Sequence, residues 1–127
     1  AMSATEALEQ TFLKAIITGD CATFNYCLHQ NVRLDYRSKN GSTLLMIASW
    51  YGGDDMVRAL LLRGSSVDEQ NHNGDTSLIR AVFRNDVKVA QLLLHRFPNI
   101  DHENVDGWSA LRISASNQNM EMFRLLL

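Results

Sequence analysis

Apolar residues recur along this chain in columns that repeat every 33 positions. Three apolar columns and one column of small residues keep one phase through the sequence: Phe12, Leu45, Leu78 and Leu111; Cys27, Leu60, Leu93 and Leu126; Leu28, Leu61, Leu94 and Leu127; and Ala15, Ala48, Ala81 and Ser114. Polar pairs follow the same period at Asn40-Gly41, Asn73-Gly74 and Asp106-Gly107. Several columns in one phase indicate an internal repeat rather than chance.

Each unit of this repeat is predicted to begin with a hairpin turn. Its Asn-Gly or Asp-Gly pair is typical of a type I′ turn, in which both central residues have positive φ. Two positions after the glycine comes a hydroxyl residue, Thr43, Thr76 or Ser109. A hydroxyl at that place can accept a hydrogen bond from a backbone N–H and so cap a short helix.

Two helices are predicted to follow the turn in each unit. In the second unit the first helix ends near Gly52, and a second helix starts around Asp54 or Asp55. The second helix carries apolar residues on one face, at Met56, Val57, Leu60 and Leu61. Gly64 then suits a left-handed helix cap. One such unit cannot bury its own apolar face, so the units must stack into an all-α solenoid.

The period divides the chain into about four units, with approximate boundaries at residues 5–37, 38–70, 71–103 and 104–127. We expect the fourth to be truncated, because a terminal repeat normally presents a polar outer face and the sequence MEMFRLLL does not. The first unit fits the period but has no hairpin glycine. Phe97 stands where Gly64 stands one unit earlier, and because it precedes Pro98 we expect an extended backbone and a different turn there.

The unit resembles the ankyrin repeat, which has 33 residues and the core motif G-x-T-P-L-H-x-A. Residues 41–48, 74–81 and 107–114 fit that motif, with other residues in place of its Pro and His. The resemblance covers nearly the whole chain. It implies an all-α ankyrin-repeat solenoid of about four hairpin-helix-turn-helix units that serves as a protein-protein interaction module or scaffold.

Composition is that of one ordinary globular domain, residues 1–127, with 46% hydrophobic and 20% charged residues. A net charge of -2 and a pI near 6.1 disfavour nucleic acid as the main partner. The sequence has neither an apolar run long enough to insert in a membrane nor a signal peptide. Cys21 and Cys27 suit neither a disulfide framework nor a CxxC motif. We therefore expect an intracellular protein, cytoplasmic or nuclear.

No residue pattern in the chain indicates catalysis or a cofactor. The four histidines form no metal-ligand pattern with the cysteines. Neither a nucleophile elbow nor a glycine-rich phosphate loop is present. The sequence thus predicts no enzyme, no metal, no cofactor and no small-molecule substrate.

The segment MIASWYGG, residues 46–53, contains both core and surface positions. On a helix of 100° per residue, Leu45, Ala48 and Ser49 point inward, and Trp50 and Tyr51 turn away from them. In ankyrin proteins the matching positions lie on a concave groove, so the resemblance implies that these two aromatic residues face a partner. Burial of the large aromatic residues between repeats is the alternative.

The aligned positions of the other units, together with the hairpin turns, complete the expected partner-binding set. Its members are Trp50, Tyr51, Phe83, Arg84, Trp108, Lys39, His72, Asp75, Asp106 and Glu103. Trp, Tyr and Arg dominate interface hot spots. We expect an extended peptide or loop of another protein to bind there, with the two tryptophans as anchors. The three carboxylates favour Lys or Arg in that partner.

Two alternatives remain open from the sequence. The aromatic residues and carboxylates could form a cage for an ammonium group, making the domain a reader of lysine or methyl-lysine peptides. The apolar C-terminal repeat could instead dock further repeats or a second copy, so that the domain serves oligomerisation or an intramolecular scaffold.

Overall fold

The computed structural model describes residues 1–127, which form eight helices and no strands. The helices are α1 (Ala4–Thr18), α2 (Cys21–His29), α3 (Leu44–Tyr51), α4 (Asp54–Leu62), α5 (Ser77–Phe83), α6 (Val87–Leu94), α7 (Ala110–Ser116) and α8 (Met120–Leu126). The fold is all-α, as the period predicts.

The helices form two layers. Helices α1, α3, α5 and α7 contact one another in sequence in the first layer, and α2, α4, α6 and α8 do so in the second. Each first-layer helix packs on the second-layer helix that follows it in the chain. This is the arrangement of a solenoid, in which each unit contacts its neighbours. No helix is both long and apolar enough to cross a membrane.

The repeating apolar columns form the core between the layers. Leu45, Leu60 and Leu93 are fully buried, as are Ala48 and Ala81. Burial decreases in the fourth unit, where Leu111 is only partly covered and Leu127 is exposed. Except for Leu127, the residues of these columns are therefore buried in the core or packed against it, and the last unit is covered on fewer sides.

Hydroxyl caps start the first-layer helices as predicted. The backbone N–H of Met46 donates to Thr43 Oγ1 (3.2 Å), and the N–H of Ile79 donates to Thr76 Oγ1 (3.3 Å). Ser109 caps α7 in the same way. Because these hydroxyls satisfy helix N–H groups that have no partner within the helix, they fix where each helix begins.

The expectation of type I′ turns is wrong. The glycines alone have positive φ, at 79° for Gly41, 74° for Gly74 and 80° for Gly107, and the Asn or Asp before each does not. The Gly41 N–H donates to the Ser38 carbonyl (2.9 Å), and the Ser38 N–H donates to the Ser42 carbonyl (3.0 Å). This is the longer hairpin loop, in which a turn is followed by one left-handed glycine. We call residues 38–41, 71–74 and 104–107 the finger turns.

Backbone hydrogen bonds join successive finger turns. His72 N–H donates to the Asn40 carbonyl (2.8 Å), and Val105 N–H donates to the Asn73 carbonyl (3.0 Å). A Cβ atom on Gly41 would lie 2.8 Å from His72 Cδ2, which shows how closely the turns approach. The finger turns therefore form a continuous edge beside the first helix layer.

The turn at Phe97 has the same left-handed backbone as the equivalent turns one and two units earlier, so the expectation of an extended backbone there is wrong. Phe97 has φ 54°, in the left-handed region with Gly64 and Asn31. Its N–H donates to the Leu94 carbonyl as the Gly64 N–H donates to the Leu61 carbonyl. The packing of successive repeats thus imposes a left-handed conformation on Phe97, although a residue before proline normally prefers an extended backbone.

Candidate functional site

A groove lies between the first helix layer and the finger turns. It encloses about 280 Å³ and is lined by Leu13, Ile17, Tyr36, Ser38, Asn40, Ser42, Ile47, Trp50, Tyr51 and Arg80. We call it the Trp50 groove. A second depression of about 450 Å³ runs along α1 and shares Leu13, Ile17 and Tyr36 with it. The two form one elongated surface across the first units.

Trp50 is held in this groove by two arginines. Its ring is partly buried, and the Cζ atoms of Arg80 and Arg84 lie over it at 4.8 and 5.4 Å from the ring centroid. Both arginines belong to the next unit, in or directly after α5. Cation–π contacts of this kind contribute about 0.5–2 kcal/mol, so they restrict the ring before any partner binds.

Tyr51 and Phe83 end consecutive first-layer helices, and both are open to solvent. Tyr51 is 49% exposed and Phe83 is 48% exposed. Each helix ends there because a residue with positive φ follows, Gly52 at 75° after α3 and Asn85 at 56° after α5. Tyr51 lines the Trp50 groove with Trp50, whereas Phe83 does not line it and lies at the end of the next first-layer helix.

Trp108 lies on the fourth unit and does not line the Trp50 groove. It is partly buried and packs against the edge of the core. The Arg112 guanidinium covers its ring at 4.2 Å and donates from Nη1 to the Gly107 carbonyl (3.1 Å). The structure therefore does not join the two tryptophans in one pocket.

The polar and charged residues expected on or beside the finger turns divide into four that are exposed and one, Asp75, that is buried. Lys39, His72 and Asp106 are exposed on successive finger turns, and Glu103 is exposed just before the last turn. None of the four lines the Trp50 groove. They lie along the finger edge, beside the groove rather than in it.

Asp75 lies inside the repeat stack, which removes it from the exposed set. It is only 7% exposed, and its Oδ1 accepts a hydrogen bond from Asn104 Nδ2 (3.0 Å). One unit earlier, Asn71 Nδ2 donates to Ser42 Oγ in the same way (3.3 Å). Asp75 therefore connects adjacent finger turns, and we leave it out of the contact surface.

Arg80 and Arg112 each contact a tryptophan, although the expected partner-binding set contains neither of them. Their signal was present: Arg80 replaces an isoleucine found at Ile47 and Ile113, 33 positions away on either side. Arg112 likewise stands in the column of two apolar residues, Met46 and Ile79. A charged residue that interrupts an apolar column of a repeat indicates a local role on the surface.

The structure groups no three His, Cys, Asp or Glu side chains that could hold a metal ion. Both cysteines are free; Cys21 is exposed and Cys27 is buried, and burial raises the pKa of the Cys27 thiol. Neither cysteine lines the Trp50 groove. The groove thus presents aromatic rings, the Arg80 guanidinium and hydroxyl groups, which are suited to binding.

Comparison with known families agrees with this geometry. A family model described as ankyrin repeats (3 copies) matches residues 11–104 and again residues 45–127. No curated protein matches the chain. Ankyrin repeats are generally protein–protein interaction modules and are typically non-enzymatic. Since the family model covers most of the chain, the protein belongs to the ankyrin repeat family.

Proposed function

We propose that the protein binds an extended peptide or loop of another protein in the Trp50 groove. The observation that carries the proposal is the pair of aromatic rings that line one groove, Trp50, which is partly exposed, and Tyr51, which is 49% exposed. Large exposed apolar side chains that lie together mark interaction sites. Trp and Tyr are also the residue types that contribute most to interface hot spots.

The ring of Trp50 and the finger turns beside it are already immobilised in the free protein, which favours binding. Arg80 and Arg84 fix the ring of Trp50, and hydrogen bonds fix the finger turns beside it. Association costs about 0.5–1.5 kcal/mol for each side chain that it must immobilise. A ring that is already ordered avoids much of that cost, so more of its contact energy is available for affinity.

The shape of the surface fits an extended segment. The Trp50 groove and the depression along α1 are continuous through Leu13, Ile17 and Tyr36. An extended chain advances about 3.3 Å per residue, so several partner residues can lie along this path. Exposed groups of the finger turns, such as Lys39 and His72, flank it and can contact the partner's backbone or polar side chains.

The proposal can be tested with a phage-displayed library of random 12-residue peptides, selected against the intact protein. We expect Trp50→Ala and Tyr51→Ala to weaken the selected peptides by at least tenfold, as hot-spot truncations do. Tyr26→Ala is the matched control, because Tyr26 is an exposed tyrosine (61%) on the second layer. Equal affinity for all variants, or equal loss in all, contradicts the proposal, as does a library without binders.

A lysine or methyl-lysine cage receives less support from the same residues. The ring of Trp50 already has two guanidinium groups over it, and that of Trp108 has one. An ammonium group would have to displace them and would be repelled by like charge. Matched peptides with Lys and trimethyl-Lys should therefore bind equally weakly.

Self-association through the fourth unit is the second candidate function. Met120 and Leu127 are 57% and 80% exposed, which supports an apolar contact there. However, Met122 and Leu126 of the same segment belong to the core. Light scattering over a concentration series distinguishes the two functions. A constant molecular mass is expected if the protein is a monomer that binds through the groove, and a mass that rises with concentration is expected if the fourth unit self-associates.

We also propose that the protein acts inside the cell, in the cytoplasm or nucleus. The support is its unpaired cysteines, one of them exposed, since disulfides are the rule in oxidising compartments. Imaging of the tagged protein tests this, and export from the cell contradicts it.

A further inference from the structure

We infer that the segment bound in the Trp50 groove places an Asp or Glu carboxylate against Arg80 and Arg84, beside the ring of Trp50. The inference rests on the proposed function and specifies the chemistry of its partner. It reverses the expectation from the sequence, where three carboxylates favoured a basic partner.

The arginines beside the tryptophans lack counter-ions. The ion pairs of the structure join Arg33 to Asp35, Arg37 to Glu69 and Arg58 to Asp55, all elsewhere. Arg80, Arg84 and Arg112 belong to none of them. The three guanidinium groups beside the tryptophans therefore form no ion pair within the chain.

The Arg80 guanidinium is only partly satisfied by hydrogen bonds within the chain. It is partly buried, its Nε is shielded from solvent without a hydrogen-bond partner, and its Nη2 reaches Ser42 Oγ only at 3.5 Å. Removing a cation from water without a compensating anion is unfavourable. A carboxylate that approaches the exposed part of the guanidinium relieves this penalty, which favours the bound state.

The nearby carboxylates of the chain do not neutralise this region. Asp75 is buried and accepts its hydrogen bond from Asn104, and Glu69 pairs with Arg37. Glu103, Asp106 and Asp86 form no ion pair with the three arginines. No carboxylate of the chain is therefore ion-paired with the guanidinium groups of Arg80 and Arg84.

The charge of the surface changes along its length. At the opposite end, the depression along α1 is lined by Glu6 and Glu9 together with Lys14. An acidic residue of the partner is therefore favoured only near α3 and α5. A guanidinium can stack on an aromatic ring and still donate from its edge to both oxygens of a carboxylate, so Arg84 can retain its contact with Trp50 while binding it.

The experiment uses the peptides selected from the random 12-residue library against the intact protein. We expect them to be enriched in Asp or Glu at one position. Changing that residue to Asn or Gln should weaken binding about tenfold, as loss of a charge-assisted hydrogen bond does. Arg84→Gln should reduce the roughly tenfold difference in affinity between the acidic and the amide peptide to about twofold, which shows that the two groups act together.

Two further variants separate charge from folding. Arg84→Lys keeps the charge and should recover part of the lost affinity. Arg63→Gln removes an exposed arginine that follows α4 and should have no effect. Arg63→Gln should melt with the wild type, because its side chain is exposed. Arg84→Gln loses a cation–π contact with Trp50 and should melt slightly lower, while remaining fully folded at the temperature of the binding assay.

The outcomes distinguish this inference from the proposed function. Peptides that need Trp50 but show no acidic position, or whose amide forms bind equally well, overturn the inference and leave groove binding intact. Insensitivity of the selected peptides to Trp50→Ala overturns both. Acid enrichment with coupling to Arg84 supports both.

Discussion

Replacing Gly74 with alanine tests how the finger turns hold the repeats together, and Gly107 supplies its matched control. Both glycines occupy the same place in successive finger turns, with φ 74° and 80°. They differ in what a new Cβ would meet. At Gly74 it would lie 3.0 Å from Val105 N and 3.1 Å from Asn104 Cα, whereas at Gly107 the nearest atom is Arg112 Nη1 at 3.9 Å.

The expected magnitudes follow from that difference. Both substitutions place a Cβ in the left-handed region, at a cost of about 1–2 kcal/mol. Only at Gly74 does the Cβ also crowd backbone atoms, and overpacking of this kind costs about 1–3 kcal/mol more. Gly74→Ala should therefore lower the free energy of unfolding by about 2–5 kcal/mol, and Gly107→Ala by about 1–2 kcal/mol.

Urea denaturation followed by far-UV circular dichroism measures both variants against the wild type. The m-values should agree, so that midpoints report stability alone. The hydrogen bond from Val105 to Asn73 (3.0 Å) is the contact that the new methyl group would strain, and its amide should exchange faster in Gly74→Ala. Equal destabilisation by the two substitutions would refute the close approach of the finger turns.

Three further predictions concern the core and the buried polar groups. Leu60→Ala should lower the free energy of unfolding by about 2–5 kcal/mol, because Leu60 is fully buried. Leu62 is 73% exposed, so Leu62→Ala should change it by no more than about 0.5 kcal/mol in the same assay. Similar losses in the two variants would contradict the assigned helix face. Cys21 should react rapidly with a thiol reagent at neutral pH, but Cys27 should react only on unfolding, because it is buried and its thiol pKa is raised. Comparable rates would contradict its burial. Asp75→Ala should destabilise the fold by about 1–3 kcal/mol, since the amide that donates to it loses its acceptor; a neutral effect would return Asp75 to the candidate surface.

The elements of this fold could be predicted because each is specified within one unit. Leu45 and Ala48 recur at one period, so their burial needs no knowledge of the neighbouring unit. Thr43 caps α3 through an N–H only three residues away. Such local hydrogen bonds and periodic apolar positions are properties that the sequence displays directly.

The details that the sequence did not predict depend on contacts between units. Asp75 looked like an exposed carboxylate until the next finger turn placed an amide against it. Arg80 covers Trp50 from the following unit, 30 positions away in the sequence, so neither residue alone indicates the pair. The left-handed φ of Phe97 is similarly imposed by the repeat path rather than by its own preference.

The central claim is that the groove at Trp50 is the surface that binds. Titration of the ¹⁵N-labelled protein with a library-selected peptide, followed by two-dimensional NMR, tests it most directly. We predict the largest shift changes at the indole N–H of Trp50 and at backbone amides of α3, α5 and the finger turns. Changes confined to α4, α6 and α8, with the Trp50 indole unmoved, would contradict the account.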